Sequence, residues 1–202
     1  MASTRLSFQL YSARNFPPLE KVLETLAAIG FDAVEPFGGN YLDDARGLRS
    51  KCDALGLAIP SAHVSLQLLN EDRARAIDIA RTLGLEYVIS PYLTAEERPH
   101  DVAGWKALGA VLGEHAAALA EAGLKYAWHN HDFEYGTLAD GSRPIDHLLA
   151  SDNVGYEMDV AWVARAGKSI AREIEKEADK IVAFHIKDSA PRGVTKDDGW
   201  TD

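Results

Sequence analysis

The sequence predicts an α/β fold in which parallel strands alternate with helices, as in a (β/α)-barrel. A phrase led by glycine recurs along the chain and follows a helical stretch each time: GFDAVEPF from Gly30, GLAIPSAH from Gly56, GLEYVISPY from Gly84 and GLKYAWHNH from Gly123. A glycine just past a helix can adopt the left-handed conformation that ends the helix, and the short apolar run behind it suits a strand buried on both faces. Each phrase therefore marks a junction from helix to strand.

Helices and further strands complete the alternation. Amphipathic helical patterns lie at residues 18–29, 42–55, 71–83 and 102–122. Three more strands are expected in LSFQLYSA from Leu6, VGYEMDVAW from Val154 and IVAFHIKD from Ile181. Alternation of this kind implies a parallel sheet with right-handed crossovers, and the number of repeated units favours a barrel over an open sheet. No glycine-rich phosphate loop follows the first strand, which argues against a nucleotide-binding fold.

The strand count ends one short of a closed barrel, which needs eight strands. Only the polar tail SAPRGVTKDDGWTD follows Asp188. We therefore expect a single domain over residues 1–202 that lacks the last strand and helices. Either the chain is a fragment or a partner closes the sheet. The fragment is favoured, because an open parallel edge is an aggregation liability.

The composition is that of a soluble globular protein, with 47% hydrophobic and 26% charged residues among 202. The net charge of −10 would repel a phosphate backbone, so a nucleic-acid partner is not expected. No apolar run approaches the length of a membrane span, and the N-terminus lacks the apolar segment of a signal peptide. These absences predict a cytoplasmic protein with no membrane partner.

Ionisable residues follow most of the predicted strands at the point where each strand ends. They are Glu35 on the second, His63 on the third, His129, His131 and Glu134 on the fifth, Asp159 on the sixth, and His185 and Lys187 on the seventh. In a barrel the carboxyl ends of the strands surround one pocket, and carboxylates with neutral imidazoles suit Mn²⁺, Mg²⁺, Co²⁺ or Zn²⁺. A single histidine could instead be a hydrogen-bonded structural group, and a single aspartate a helix cap. Their clustering on successive strands favours a metal site.

Three segments carry a resemblance to a known family: HNHDFEY from His129, EMDVAW from Glu157 and FHIKD from Phe184. With them, the chain from Leu6 to Asp188 closely resembles the xylose isomerase-like TIM-barrel superfamily, and within it the sugar phosphate isomerases/epimerases. The resemblance implies a (β/α)8 TIM barrel, of which the last strand and helices are missing in this chain.

The resemblance also implies a metal-ligand set. Family members bind one divalent metal through a glutamate, an aspartate, a histidine and a second glutamate on strands five to eight. The first three correspond to Glu134, Asp159 and His185. The fourth has no counterpart, because the chain stops before that strand. In family epimerases this glutamate is also one of two acid/base groups, so the chain on its own is expected to be impaired or inactive.

Roles for other residues follow from the same resemblance. In the family, the metal chelates a ketose carbonyl and the neighbouring hydroxyl and stabilises the enediolate that forms. Glu134 would act as ligand and base beside the ligand His185. Lys187 would stabilise the oxyanion, or else form an ion pair with Asp188. The expected substrate contacts are Glu35, His63, His129, His131 and Trp162.

Three functions remain open. The first is a metal-dependent isomerase or epimerase of a sugar, keto-sugar or sugar phosphate. The second is a metal-dependent dehydratase of the inosose or dehydroshikimate type, which begins with the same proton abstraction. The third is an inactive or partner-dependent protein, because the strand-eight glutamate is absent. A small sugar is the expected partner, and a homo-oligomer is possible because family members often associate.

Overall fold

The computed structural model describes residues 5–187. Within that range the chain forms the seven predicted strands: β1 Ser7–Gln9, β2 Ala33–Glu35, β3 Ser61–His63, β4 Tyr87–Ser90, β5 Lys125–His129, β6 Val154–Asp159 and β7 Ile181–His185. No eighth strand follows β7 among the described residues, and Asp188 lies outside them.

Helices separate the strands and confirm the predicted alternation. Their bounds are α1 Leu19–Ala28, α2 Gly38–Tyr41, α3 Ala45–Ala54, α4 Leu66–Glu71, α5 Arg73–Leu83, α6 Val102–Glu121, α7 Pro144–Leu148, α8 Val160–Arg165 and α9 Ile170–Glu177. Helix α3 begins later than predicted, because the Asp44 side chain caps it by accepting from the Gly47 N–H at 2.8 Å. Asp72 caps α5 in the same way, through the Arg75 N–H at 3.0 Å.

The four repeated glycines end their helices as predicted. Gly30, Gly56, Gly84 and Gly123 all have positive φ angles, between 71° and 95°. Gly84 is the C-cap of α5, and its N–H donates to the carbonyls of Ala80 and Arg81. A side chain would disfavour this left-handed backbone, so glycine at these positions is explained by the turn itself.

The strands form parallel sheets. Strands β3 to β7 are hydrogen-bonded in chain order in one five-stranded sheet, and β1 pairs with β2 in a second sheet. The pairs β1–β2, β3–β4 and β6–β7 all run parallel. This is the TIM-barrel fold that the sequence predicted, present as a half-barrel sheet of five strands and a separate β1–β2 pair.

Two units of the chain each have their own buried core. The first consists of described residues 5–93 and 114–127. Its apolar core includes Leu23, Leu48, Cys52, Leu83 and Ile89. The second consists of residues 94–113 and 128–187, and its core includes Trp128, Ile145, Tyr156, Met158 and Val163. The single domain over residues 1–202 stays a prediction.

Among residues 5–187, no helix is both long enough and apolar enough to cross a membrane. Cys52 is a buried free thiol in the first unit, in agreement with its helical position in the sequence.

Candidate functional site

Two carboxylates stand on one face of strand β6 in the second unit. Glu157 and Asp159 are two residues apart, and alternate residues of a strand point to the same side. Both are buried, with 1% and 0% of their surface exposed. The parallel register pairs Asp159 with His185 on β7, which brings a histidine beside them.

Two imidazole rings flank this carboxylate pair. His129 Nδ1 lies 3.1 Å from a Glu157 oxygen, and His185 Nε2 lies 3.3 Å from the other. The opposite nitrogen of each ring lies 3.9 Å from Asp159 Oδ2. The ring centroids of the two histidines are 4.6 Å apart. Each imidazole therefore spans the distance between the two carboxylates.

The donor atoms in this group suit a divalent cation. His129, Glu157 and His185 each offer one ligand atom, and these atoms lie within 4.8 Å of one another. Ligands bonded to one ion at about 2.1 Å are separated by about 3 to 4.2 Å, so a small contraction would bring all three into range. Nitrogen and carboxylate donors together suit Zn²⁺, Mn²⁺ or Co²⁺. Burial also favours a cation, because two neighbouring carboxylates in an apolar core require positive charge nearby.

Lys187 supplies one such charge. Its ammonium nitrogen lies 2.6 Å from Asp159 Oδ2. The other oxygen, Oδ1, accepts from the Ala161 and Trp162 N–H groups at 3.0 and 3.1 Å and thereby caps helix α8. Asp159 is thus both a helix cap and an ion-pair partner. The alternative pairing of Lys187 with Asp188 falls outside the described residues.

Glu134 is fully buried in the turn that follows β5. Its Oε1 accepts from Trp128 Nε1 at 3.2 Å, and its Oε2 accepts from the His131 N–H at 2.8 Å. Burial raises the pKa of this carboxyl to about 8, although those hydrogen bonds and the Arg98 charge act in the opposite direction. The carboxyl is therefore a weaker acid than an ordinary glutamate.

Aromatic rings extend the site. The His131 ring lies 5.2 Å from the His129 ring and 4.8 Å from that of Trp162. Lys187 Nζ lies 5.6 Å from the centre of the Trp162 ring, within range of a cation–π contact. His131 thus joins the Glu134 turn to the histidine and tryptophan of the neighbouring elements.

Glu35 and His63 belong to the first unit and contact each other there. His63 Nε2 lies 3.2 Å from Glu35 Oε1, which also accepts from Gln9 Nε2 at 3.1 Å. Ser61 Oγ donates to the other Glu35 oxygen. His63 also lines an open cavity of about 360 Å³ in this unit, together with Phe37, Tyr41, Ser65, Arg75 and Pro91 among others.

The predicted residues are therefore brought together in part. Of the metal set, Asp159 and His185 approach to 3.9 Å, whereas Glu134 is engaged by Trp128 and His131. Its place as a third ligand stays a prediction. Glu157 was missed as a site residue, although its spacing of two from Asp159 within a strand was a signal for a shared face.

Comparisons with known proteins agree with this fold. The family model described as "Xylose isomerase-like TIM barrel" matches residues 23–201. Among curated proteins, the chain is 26% identical over 198 residues to the rhizopine catabolism protein MocC of Rhizobium meliloti. That alignment covers 85% of this chain and 58% of the relative, so the chain spans less than two thirds of its length.

Solved structures show the same architecture. A sugar phosphate isomerase/epimerase from Parabacteroides distasonis superposes with a TM-score of 0.80 at 21% identity, over 97% of this chain and 79% of that one. The IOLI protein with a bound zinc atom gives a TM-score of 0.74 at 20% identity, over 96% and 78% of the two chains. At these identities the likeness concerns the fold.

Proposed function

This chain belongs to the xylose isomerase-like TIM-barrel family, and we propose that it functions as a metal-dependent isomerase or epimerase. The proposed substrate is a sugar, keto-sugar or sugar phosphate. The observation that supports this most directly is the pair Glu157 and Asp159 between two imidazole rings in the second unit. Such a group can hold a cation at the carboxyl ends of parallel strands, where barrels of this kind carry their active sites.

Two overlapping ligand sets are proposed. The resemblance assigns Glu134, Asp159 and His185, while the geometry groups His129, Glu157 and His185. His185 belongs to both. A divalent metal bound there would supply a Lewis acid that polarises a substrate carbonyl and acidifies the adjacent C–H.

Glu134 is the proposed proton-transfer group. A carboxyl with a pKa of about 8 is a stronger base than an ordinary glutamate, and its pKa lies close to neutral pH. General acid–base catalysis is most effective in that range. The Trp128 and His131 hydrogen bonds hold both of its oxygens and so fix the orientation of the carboxyl.

Other side chains would bind and orient the substrate. The Lys187 ammonium, which pairs with Asp159, would stabilise negative charge on a substrate oxygen once it is released from that carboxylate. The rings of Trp162 and His131, in contact with each other, offer a wall for the C–H face of a sugar. His129 is proposed to hydrogen-bond a substrate hydroxyl group, and the roles of Glu35 and His63 as substrate contacts stay predictions.

Proton exchange in deuterated water tests the reaction class. The metal-loaded protein would be incubated with ketoses, keto-inositols and ketose phosphates, and followed by proton NMR and mass spectrometry. Deuterium incorporation without loss of water supports isomerisation or epimerisation, and loss of water would instead indicate the dehydratase. Asp159→Asn serves as the control. Exchange that is equally fast in this variant would contradict the proposed site.

A further inference from the structure

The side chain of Asn130 holds the backbone of Asp159 from both sides. Its Oδ1 accepts from the Asp159 N–H at 2.8 Å, and its Nδ2 donates to the Asp159 carbonyl at 3.3 Å. Asn130 is fully buried and follows directly after β5. Asp159 is the last residue of β6, where the strand gives way to helix α8. At such a junction an amide side chain can satisfy a backbone donor and a backbone acceptor together.

Two tyrosines orient this amide. The Tyr156 hydroxyl donates to Asn130 Oδ1 at 2.8 Å and lies 2.6 Å from the Tyr135 hydroxyl. Because Tyr156 gives its proton to an oxygen that can only accept, the Tyr135 hydroxyl must donate to Tyr156. Burial raises the pKa of both phenols, so both keep their protons. The hydrogen bonds thus have one direction, from Tyr135 through Tyr156 to Asn130.

Charged residues hold the far end of this chain of hydrogen bonds. The Arg143 guanidinium lies 5.4 Å from the centre of the Tyr135 ring and donates to Glu173 at 2.7 Å. It also bonds Asp146 at 2.8 Å. Tyr135 directly follows Glu134, so these hydrogen bonds connect the turn that carries Glu134 to the backbone of Asp159. Buried networks with every member paired are rigid.

We propose that Asn130 is a positioning residue, which acts with Tyr156 and Tyr135 to fix the Asp159 carboxylate in the orientation that cation binding requires. This inference rests on the proposed metal site. With Asn130 removed, the end of β6 would lose the two hydrogen bonds that set the Asp159 backbone. Loss of such an outer partner costs about 10- to 100-fold in metal affinity.

Cobalt binding tests the inference, because Co²⁺ reports both affinity and coordination geometry through its visible absorption. Asn130→Ala is expected to weaken Co²⁺ binding by about 10- to 100-fold and to change the spectrum. Tyr156→Phe is expected to cause a smaller loss in the same direction. The matched control is Tyr126→Phe, which removes the hydroxyl of a buried tyrosine of β5 in the first unit. This control should keep the wild-type affinity and spectrum.

Unchanged affinity and spectrum in a folded Asn130→Ala would overturn the inference. If that variant does not fold, Tyr156→Phe decides, and wild-type behaviour there has the same meaning. Amide hydrogen exchange of the metal-free protein separates this inference from the proposed function. Absence of cobalt binding by the wild type would contradict the proposed metal site. The exchange rate of the Asp159 N–H would still show whether Asn130 or Tyr156 holds that backbone. If this rate is not faster in Asn130→Ala or in Tyr156→Phe than in the wild type, the positioning role is overturned.

Discussion

The Lys187 ammonium lies 2.6 Å from the Oδ2 atom of Asp159, the carboxylate that the sequence assigns to a metal. The same oxygen lies 3.9 Å from a nitrogen of His129 and 3.9 Å from a nitrogen of His185. Lysine and a bound cation would therefore compete for one atom. This competition makes the lysine a sensitive probe of the site.

Lys187→Met is expected to tighten divalent metal binding by about threefold to tenfold, because the ammonium no longer neutralises Asp159. Turnover should fall, since the positive charge proposed for the substrate oxygen is lost. Calorimetric titration with Zn²⁺ or Co²⁺ measures the first effect. Lys125→Met, which removes an exposed lysine paired with Glu86 in the first unit, is the control. Weaker metal binding in Lys187→Met would show that the lysine supports the cation instead.

Asp159→Asn separates the charge of this side chain from its capping role. The amide oxygen can still accept from the Ala161 and Trp162 N–H groups, so the melting temperature should change little. Metal binding should be lost or strongly weakened. Asp159→Ala should also lose the metal, and in addition about 1 kcal/mol of stability, because the cap of α8 disappears. A folded Asp159→Asn variant that retains wild-type metal affinity would exclude Asp159 as a ligand.

Glu157→Gln and Glu134→Gln distinguish the two proposed ligand sets. If His129, Glu157 and His185 hold the cation, Glu157→Gln lowers the affinity by at least tenfold and Glu134→Gln leaves it nearly unchanged. If the set that includes Glu134 is correct, Glu134→Gln lowers the metal affinity by at least tenfold and Glu157→Gln leaves it nearly unchanged. Metal content after dialysis and titration of each folded variant provide the measurement. Equal wild-type affinity in both variants would contradict both sets.

The stability of the metal-free protein should depend on pH through Glu134. Burial raises its folded pKa to about 8, above the ordinary value of 4.5. Between those values the folded state holds a proton that the unfolded state has released. This difference contributes to the free energy of unfolding, and the contribution is fully present below about pH 4.5. Above that pH it falls with a slope approaching 1.4 kcal/mol per pH unit, and it is lost as the pH rises through about 8. Denaturant unfolding in the presence of a chelator should show this decline in the wild type and a flatter profile in Glu134→Gln. If stability depends on pH in the same way in the wild type and in Glu134→Gln, a group other than Glu134 is responsible for the decline.

The fold was predictable because its signals are local. The left-handed glycines at Gly30, Gly56, Gly84 and Gly123 end helices, and each precedes a short apolar strand. Parallel pairing follows from the alternation of strands and helices. The starts of α3 and α5 were less predictable, since Asp44 and Asp72 compete with neighbouring polar residues as caps.

The site was predictable in its residue types but only partly in its contacts. Asp159 and His185 stand at the ends of strands that the sequence identifies, and the register then brings them together. Glu157 lies inside β6, where its importance depends on which strands flank it. The partner of Lys187 depends on the same tertiary arrangement, because Asp159 is distant in sequence. No local pattern reveals that Asn130 bonds the backbone of Asp159.

The central claim is that the ends of β5, β6 and β7 bind one divalent cation through a group that includes His185. Titration of the metal-free chain with Co²⁺, followed by its visible absorption, tests this claim most directly. The expected result is one saturable equivalent per chain, lost in His185→Ala. It should be retained in His147→Ala, whose ring contacts Ser142 away from the group. Absence of saturable binding, or wild-type binding by a folded His185→Ala variant, would contradict the account.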